Sequence, residues 1–538
     1  MNKRLVLALM AAMPVLAFSQ TAFDAYQLSR YDLRGTARYM SMGGAFTALG
    51  GDLSTLNQNP GGIGVYRKSD IGLTLDINMM STSTKGLENY KDNQTKALVP
   101  NFGYVGSAYT GSSVMPVFNW GFSYGRVASF DRRYRGTVDM NGSLSNYIAG
   151  YTTDGGFSSD YLTNTEGNYF NSDHAPWMSI LAYNSYMINP VAGTNSYSGL
   201  WGNGTYGVSD FSVEEKGYVD EYEVNLGGNF SDIVYWGLGF GITGIDYQQS
   251  VYYEEYLNNA KIPVLDNNGQ PVAGPPTETP GDVGFGLDSY KHITGTGFNF
   301  KVGLIVKPIN ELRLGFAVHT PTYYNLSQAH DGIVDYGYGY TDRPLAPGDT
   351  GSPSDVFDWK LRTPWRLMFG AAGVIGSSAI ISVDYEYRPY QNMVLKDDGG
   401  YDYSDLNGDV KSYYKAANIL RIGAEYRVTR NFSVRAGYAY ESTPTDDEIK
   451  NDEIMMYTSN PYDTGTTPSY TLDNSTNYIT CGIGYRYKSF YADAAYVHKS
   501  RTSEFHPYTG ANGYTANPYT AEVKSNDNNI VLSVGFKF

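Results

Sequence analysis

The sequence predicts an all-β protein, a transmembrane antiparallel β-barrel of about 14 strands with an N-terminal hatch (plug) inside its lumen. Three observations lead to this prediction. Apolar and polar residues alternate with a period of two from residue 70 to the end of the chain. Short and long connections follow one another between these alternating stretches. The last stretch ends on an aromatic residue, Phe538.

The composition excludes several classes of protein. Only 17% of the 538 residues are charged, and 54 acidic against 39 basic residues give a net charge of -15. Such a chain does not present a basic surface for nucleic acid, so no nucleic-acid partner is expected. A single cysteine, Cys481, can form neither an internal disulfide nor a thiolate metal cluster. We expect no cofactor and no metal.

The first residues have the three regions of a secretory signal peptide. Lys3 and Arg4 precede an apolar stretch from Leu5 to Phe18, and small residues lead to a cleavage site after Ser19. The stretch is short for a membrane-spanning helix, which needs about 20 apolar residues. No later apolar run is long enough to span a membrane as a helix. An exported chain of this kind enters a membrane only as a closed barrel.

The strands of the barrel follow from the alternation. From Asp70 to Ser81, apolar residues at odd positions alternate with polar or small residues. Each such stretch is about nine or more residues long, enough for a tilted strand to cross a bilayer. Short connections, such as Ser231-Asp232 and Lys488-Ser489, are expected at the periplasmic end. The long, extracellular connections are expected around 131–215, 254–289, 327–354, 396–412, 441–475 and 499–524.

The final strand carries a further signal. Ile530, Leu532, Val534, Phe536 and Phe538 alternate with polar or small residues. This ending resembles the C-terminal signal that the outer-membrane barrel-assembly machinery recognises. We therefore expect that machinery as a partner, and a monomer in the outer membrane of a Gram-negative bacterium, in contact with outer-membrane lipid and lipopolysaccharide.

The segment before the first strand is the candidate hatch. Residues 20–69 lack the period-two alternation and contain the small-residue clusters Gly43-Gly44-Ala45 and Gly50-Gly51. A wide barrel lumen leaks unless something fills it, and the apolar content of this segment favours a packed plug over a free tail. The expected domains are a signal peptide (1–19), the hatch (20–69) and the barrel (70–538).

Charged residues of both signs fall on the inward face of the late strands. Such charges usually pair with one another, so a structural ion network is the first interpretation. The alternative keeps an arginine as an anchor for a ligand carboxylate. The candidate anchors are Arg421, Arg435 and Arg486.

Several segments resemble the long-chain fatty-acid transporter family of the FadL/TodX type. The hatch of that family is similar to residues 35–37, Met42-Gly43-Gly44-Ala45-Phe46 and Asn59-Pro60-Gly61-Gly62. Residues 420–426 and 434–438 look like its late-barrel hairpin. The resemblance spans most of the mature chain, although family members commonly have Ala where Gly61 stands.

The resemblance implies a function as well as a fold. It implies passive, ligand-gated uptake of hydrophobic molecules, by default long-chain fatty acids or related lipids, with aromatic hydrocarbons as the nearest variant. It implies lateral exit beside a kinked third strand, Val117 to Phe130, where Gly121 and Gly125 would allow the kink. The hatch and gating residues carried over are Asn59, Pro60, Gly61, Gly62, Gly43 and Gly44.

Other functions stay open as alternatives. A haem receptor would use His319 or His330 as an axial ligand, and a general porin would conduct ions steadily. An enzyme would depend on Ser123, in a G-x-S-x-G pattern that needs a strand-turn-helix context to be catalytic. Asp405, Asn407 and Asp409 have calcium-loop spacing, but Val410 stands where that motif has Gly and the closing glutamate is missing. A TonB-coupled receptor is not expected, because the segment before the first strand is too small for such a plug.

Overall fold

The computed structural model describes residues 20–163, 170, 175–264, 278–339, 347–376, 378–450, 464–510 and 515–538. The expected signal peptide, residues 1–19, lies outside the described residues. In the part of the chain that is described, no helix has the length and apolar character needed to cross a membrane.

The chain forms a closed antiparallel barrel. The first strand, β1 (Asp70–Lys85), pairs with the last, β21 (Ala521–Lys537), along its whole length, from Asp70 opposite Lys537 to Lys85 opposite Glu522. The wall has 14 strands, because consecutive segments such as β3 and β4 form one crossing. The predicted fold class is confirmed, and the alternating pattern begins at the predicted residue, Asp70.

The other strands complete this wall, apart from a small hairpin formed by β5 and β6. They are β2 (Asn89–Tyr109), β3 (Val117–Ser129), β4 (Arg132–Asp139), β5 (Asn189–Pro190), β6 (Tyr197–Ser198), β7 (Tyr206–Phe230), β8 (Val234–Pro263), β9 (Glu278–Ile309), β10 (Leu312–His319), β11 (Tyr323–Gly339), β12 (Gly348–Gly351), β13 (Asp355–Arg362), β14 (Arg366–Ile375), β15 (Ala379–Pro389), β16 (Val394–Asp397), β17 (Ala416–Arg427), β18 (Phe432–Glu441), β19 (Tyr470–Tyr487) and β20 (Phe490–His506).

Helices lie before the first strand and between strands. They are α1 (Ala22–Leu28), α2 (Ala37–Ser41), α3 (Thr55–Gln58), α4 (Leu144–Asp154), α5 (Ser159–Leu162), α6 (Trp177–Asn184), α7 (Ser404–Tyr413) and α8 (Asp447–Lys450), with 3₁₀ helices at Pro60–Val65 and Tyr390–Asn392.

The wall is apolar outside and polar inside. On β1, Leu75 is 52% exposed, whereas the neighbouring Asp76 is 1% exposed and faces the lumen. The same inversion recurs on β21, where Leu532 is 48% exposed and Ser533 is 3% exposed. Exposed apolar side chains in a continuous band are typical of a barrel whose outer surface contacts lipid.

The predicted extracellular loops need correction. The sequence predicts a long loop around 254–289, but β8 continues to Pro263 and β9 begins at Glu278. It predicts another around 499–524, but β20 continues to His506. Above the bilayer a strand no longer needs one apolar face, so the hydropathy alternation fades while the backbone ladder continues. Residues 404–413 likewise form helix α7, in which the Asn407 side chain bonds the backbone N–H and C=O of Leu395.

A cap of helices covers part of the extracellular end. Helices α4 and α6 pack on the extended strands, where Ile148, Trp177, Ile180, Phe211 and Phe285 belong to one buried apolar cluster. These helices are absent from the sequence prediction. Their apolar residues form a separate hydrophobic core outside the membrane. This core holds α4 and α6 against the extended strands.

One buried carboxyl holds this cap to the wall. Glu255 on β8 is completely buried, and it accepts hydrogen bonds from the Leu144 backbone N–H (2.8 Å), the Ser143 hydroxyl and the Tyr253 hydroxyl. Ser143 and Leu144 lie at the N-terminus of α4, where a negative charge is favoured, and Tyr253 lies on β8 beside Glu255. Burial nevertheless dominates and raises the pKa of Glu255 to about 7.

We expect the cap to loosen as the pH rises. Because the folded-state pKa of Glu255 is raised from its ordinary value of 4.5, its stabilising contribution is fully present below pH 4.5 and is lost as the pH passes through about 7. The protection factors of the α4 amides, which are corrected for the intrinsic pH dependence of exchange, should therefore fall between pH 4.5 and about pH 7. Glu255→Gln should abolish this dependence, and Glu254→Gln, on the next residue, should preserve it. A pH dependence that survives in Glu255→Gln would contradict the assignment.

Candidate functional site

The hatch lies inside the lumen and has its own hydrogen-bond framework. Thr36 caps α2 by accepting a hydrogen bond from the Tyr39 N–H. Its hydroxyl donates to Asp52 (2.7 Å), and its backbone N–H donates to the Ser54 hydroxyl (2.7 Å). These bonds join the first half of the hatch to the second. The hatch is therefore an ordered element and not a flexible tail.

The Asn59-Pro60-Gly61-Gly62 motif connects the hatch to the wall. The Asn59 amide donates to the Thr47 carbonyl (2.5 Å) and to the Leu304 carbonyl of β9 (3.3 Å). Its side-chain oxygen accepts the Gly61 N–H (2.9 Å) and so caps the 3₁₀ helix Pro60–Val65. One side chain thus joins two hatch segments and one barrel strand.

Glycines allow this motif to lie directly on the wall backbone. A Cβ on Gly303 of β9 would lie 1.9 Å from the Asn59 Oδ1 atom, and one on Gly237 of β8 would lie 2.0 Å from the Pro60 carbonyl oxygen. A Cβ on Gly61 would lie 2.8 Å from the Gly303 carbonyl carbon. The family that the sequence resembles commonly has Ala at this position. Here the wall leaves no space for a methyl group, which explains Gly61.

The other predicted hatch glycines are equally confined. Gly43 has a φ of +62°, and its Cβ would lie 2.9 Å from the Tyr438 carbonyl oxygen of β18. Gly44 has a φ of +75° and lies against the Leu33 side chain. A Cβ on Gly62 would lie 2.6 Å from the Thr55 Oγ1 atom. Gly43 thus contacts the wall, whereas Gly44 and Gly62 shape the hatch itself.

Ion pairs and a charged hydrogen bond also tie the hatch to the wall. In each, a group of the hatch contacts a side chain on a strand, and most of the participants are buried. The contacts are Asp24–Lys291 (2.6 Å), Asp32–Lys499 (2.6 Å), Arg34–Asp76 (3.2 Å), Arg38–Glu425 (3.0 Å) and the Thr47 N–H to Asp384 (2.7 Å). Removing one partner of a buried pair leaves an uncompensated charge. The hatch is thus held to strands around much of the barrel.

A cavity of about 80 Å³ lies between the hatch and the upper wall. Its lining combines aromatic and apolar groups, including Tyr31, Tyr39 and Ile419, with arginines of β14 and β17. The Arg421 Nη2 atom donates to Glu386 (2.6 Å), but its buried Nη1 atom has no hydrogen-bond partner. The cavity lining thus combines aromatic and apolar groups with charges of both signs. The charged residues are Asp32, Arg34, Arg126, Glu221, Arg366, Arg421 and Glu441.

The structure separates the three predicted anchors. Arg421 lines this upper cavity, whereas Arg435 and Arg486 line another cavity, on the far side of the hatch. Arg435 donates to Glu425 (2.6 Å) and to Asp493 (2.6 Å) and belongs to an ion network. Arg486 lies within 4.0 Å of no carboxylate in the described residues. These arginines therefore do not form one site.

The backbone ladder of the wall is interrupted beside the third strand. Side-chain ion pairs cross the interruption, namely Lys96 with Asp131 (2.5 Å) and Arg135 with Asp92 (3.6 Å). β2 pairs with β3 only from Tyr109 opposite Val117 to Asn101 opposite Gly125, and the β3–β7 register shifts between residues 126 and 128. Beyond this bulge, β4 pairs with β7 while β2 pairs only with β1. We call the unpaired stretch between β2 residues 89–100 and β3–β4 residues 126–137 the wall gap. The upper cavity extends to its edge, at Pro100, Asn101, Gly125, Arg126 and Val127.

The periplasmic end of the wall gap lies beside the apolar outer band of the barrel, whereas the rest is flanked by outward-facing polar residues such as Lys91 and Asn93. The start of the gap on β2 is next to the β1 residues Leu75 and Ile77, which face outward and are 52% and 43% exposed. The Leu87 N–H donates to the Thr137 carbonyl (2.7 Å) at its extracellular end. Along its length, backbone groups of neighbouring strands are unpaired with each other, which is unusual for a barrel in lipid. Gly121 and Gly125 lie beside the gap and face the hatch residues Ile63 and Asn57.

Sequence reasoning missed the bulge at Val127 and the end of pairing at Pro100. A signal for the second was available, because proline has no N–H to donate to a ladder and is confined to edges or bulges. Nothing in the alternation of residues 117–130 indicates the extra residue in the β3–β7 pair, since a bulge is defined by its partner strand.

The residues of the alternative functions have other roles. The Ser123 hydroxyl donates to Asn57 of the hatch (3.1 Å) from within β3. His319 and His330 are both buried, and their Nε2 atoms lie 2.8 Å and 2.9 Å from the carbonyls of Gln58 and Thr464. Within the described ranges, no group of three or more His, Cys, Asp or Glu side chains could hold a metal.

Comparison with solved structures identifies the architecture. A FadL homologue from Pseudomonas aeruginosa superposes with a TM-score of 0.51 and 14% sequence identity, over 94% of this chain and 99% of that chain. The toluene transporter TodX from P. putida gives a TM-score of 0.45 and 13% identity, over 94% and 99%. No protein-family model and no curated protein matches the sequence. The likeness to the FadL homologue shows the fold, and the resemblance stated from sequence is confirmed at that level.

We expect Gly303→Ala to release the hatch motif from the wall. The added methyl group would overlap Asn59, at a cost of about 1–3 kcal/mol for such overpacking. Single-channel recordings in planar bilayers should then show a higher mean conductance than that of the native protein. Gly244→Ala is the matched control, because a Cβ there meets nothing within 4 Å. Equal conductance of the two variants would show that this contact does not keep the lumen closed.

Proposed function

We propose that this chain is an outer-membrane channel for the passive uptake of hydrophobic molecules. The observation that carries the proposal is the continuity between the upper cavity and the wall gap. A cavity enclosed by the hatch and the wall reaches the interrupted ladder beside Gly125 and Val127, next to the apolar outer band of β1. A hydrophobic molecule taking this path leaves sideways into the membrane and never crosses the polar periplasmic end. The fold shared with a FadL homologue supports the same proposal.

Uptake by this route requires the hatch to move. The upper cavity, at about 80 Å³, accommodates a headgroup but not a long chain. Tyr31, Leu33 and Tyr39 of the hatch line it, so a ligand that binds there contacts the hatch directly. We propose that ligand binding shifts this part of the hatch while the Asn59 motif retains its contacts with β8 and β9.

The ligand class we propose is a long-chain carboxylate, such as a fatty acid. The unpartnered Nη1 atom of Arg421 supplies a charge-assisted donor for a carboxylate. Glu386 also accepts hydrogen bonds from Arg366 (2.7 Å) and Arg388 (2.8 Å), so it does not depend on Arg421 alone for charge compensation. Arg421 can therefore bind a second anion without leaving Glu386 unpaired.

A second candidate is an aromatic hydrocarbon, which the aromatic lining favours. The Tyr31 ring lies 3.9 Å from the Arg366 guanidinium carbon, and Tyr39 and Tyr478 also line the cavity. Such faces suit a flat apolar molecule. One structural neighbour is described as a toluene transporter. The two candidates differ in whether uptake needs the charge of Arg421.

We expect Arg421→Gln to impair the uptake of carboxylates selectively. Loss of one hydrogen bond to a charged group weakens binding by about 10-fold to 100-fold. Uptake of a radiolabelled fatty acid by cells expressing the variant should fall, whereas uptake of toluene should change little. Uptake of the matching fatty alcohol serves as the internal control. An equal loss for acid and alcohol would favour a packing role for this side chain and count against the carboxylate anchor.

We expect deletion of Val127 to close the lateral route. Removing the extra residue brings Arg126 and Ala128 into one register with β7 and allows the β2–β3 ladder to continue past Gly125. Ligand uptake should fall, while heat stability of the purified barrel should be retained or increased. Val127→Ala, which keeps the bulge, is the control and should transport normally. Undiminished uptake in the deletion variant would rule out exit through the wall gap.

A further inference from the structure

The periplasmic side of the hatch holds a second and larger cavity, of about 580 Å³. Its roof is formed by hatch residues from Arg38 to Lys68, and its walls come from the periplasmic ends of β10, β14, β15 and β17 to β21. We call it the periplasmic vestibule. It lies on the opposite side of the hatch from the upper cavity and shares no lining residue with it.

The vestibule is strongly cationic in a protein of net charge -15. Nine arginine and lysine side chains line it, against two carboxylates, Glu425 and Asp493. These carboxylates are already engaged, because Glu425 accepts from Arg38 (3.0 Å) and Arg435 (2.6 Å) and Asp493 accepts from Arg435 (2.6 Å). Walls that carry one sign of charge focus the field inside a cleft and concentrate ions of the opposite sign.

Most of the remaining cations have no acidic partner. Arg67 pairs with Asp232, and Lys537 pairs with Asp70 (3.3 Å). Among the described residues, no carboxylate lies within 4.0 Å of the other five, which are Lys68, Arg313, Arg427, Arg430 and Arg486. The Nε atom of Arg313 is buried without a hydrogen-bond partner. The Nη1 atom of Arg313 donates to the Leu49 carbonyl (2.8 Å). Four guanidinium groups without an acidic partner around one cavity are a donor arrangement that recognises phosphate.

We infer that the periplasmic vestibule binds a multiply charged phosphate-bearing anion. A single carboxylate would neutralise only one of five unpartnered cations, whereas a phosphate group presents several acceptor oxygens to several guanidinium groups. The anion comes either from a free phosphate compound in the periplasm or from the headgroup of an inner-leaflet phospholipid. The site is independent of the proposed uptake function, because it lies across the hatch from the uptake route.

The bound anion would join the hatch to the wall. Arg38, Arg67 and Lys68 belong to the hatch segment, whereas Arg313, Arg427, Arg430 and Arg486 belong to the wall or its turns. An anion that contacts both groups adds a bridge to those already described. The strength with which the wall holds the hatch therefore depends on the concentration of phosphate-bearing anions at the periplasmic side.

Calorimetry on the full mature protein in an uncharged detergent tests this inference. Pyrophosphate is titrated into the native protein, at an ionic strength fixed with sodium chloride, and into the double variant Arg430→Gln/Arg486→Gln. Both arginines are exposed, so the variant should fold, which circular dichroism verifies. The control is Arg133→Gln/Arg135→Gln, which removes the same charge from exposed arginines of β4 outside the vestibule. A parallel titration compares short-chain phosphatidylglycerol with phosphatidylcholine.

We expect pyrophosphate to bind the native protein and the control, and to bind the vestibule variant at least about tenfold more weakly. Hydrogen exchange in residues 38–68 should slow on binding. Binding of phosphatidylglycerol alone, lost in the same variant, would support the site and identify the lipid headgroup as the source. Absence of binding in both titrations would overturn the inference. Equal affinity of the vestibule variant and the control would also overturn it.

Discussion

The structure depends on one constraint, namely that backbone hydrogen bonds must be satisfied within the protein wherever lipid surrounds it. Pairing of β1 with β21 meets this constraint by removing the free edges of the sheet. Closure of the sheet creates a lumen. The hatch fills this lumen and is held there by its contacts with the wall. The wall gap is the exception to this constraint. There the β2–β3 ladder ends at Pro100 on β2 and at the bulge on β3.

Two kinds of contact hold the hatch, and they have different physical properties. The glycine contacts at Gly237 and Gly303 join backbone to backbone and depend on shape, so a single methyl group disrupts them. The ion pairs, such as Asp32 with Lys499, act over longer distances and can exchange partners. The shape-dependent contacts of the Asn59 motif cluster on β8 and β9, while many of the ionic contacts lie on the late strands. On the late strands both kinds of contact occur together, because Gly423 and Gly437 of the wall also lie directly against the hatch backbone.

The sequence predicted the features that repeat and missed those that depend on one particular neighbour. Strand number and the start at Asp70 follow from the period of two, because lipid imposes it on every crossing. The cap helices, the α7 helix around Asn407 and the upper parts of β8 and β9 lie outside lipid, where no such pattern is imposed. The bulge at Val127 depends on the register of β7. Arg421 and Arg486 are alike in sequence, and the position of the hatch, set by contacts distant in sequence, places them in different cavities.

The closure of β1 on β21 also limits the order in which the protein can be built. The hatch is synthesised first, and its partners include Lys499 on β20 and Ser533 on β21, which are synthesised last. Contacts at such sequence separation form late and slowly. The hatch therefore gains its contacts with β20 and β21 only once the last strands are in place. The final seating of the plug thus depends on the same late strands whose pairing closes its container.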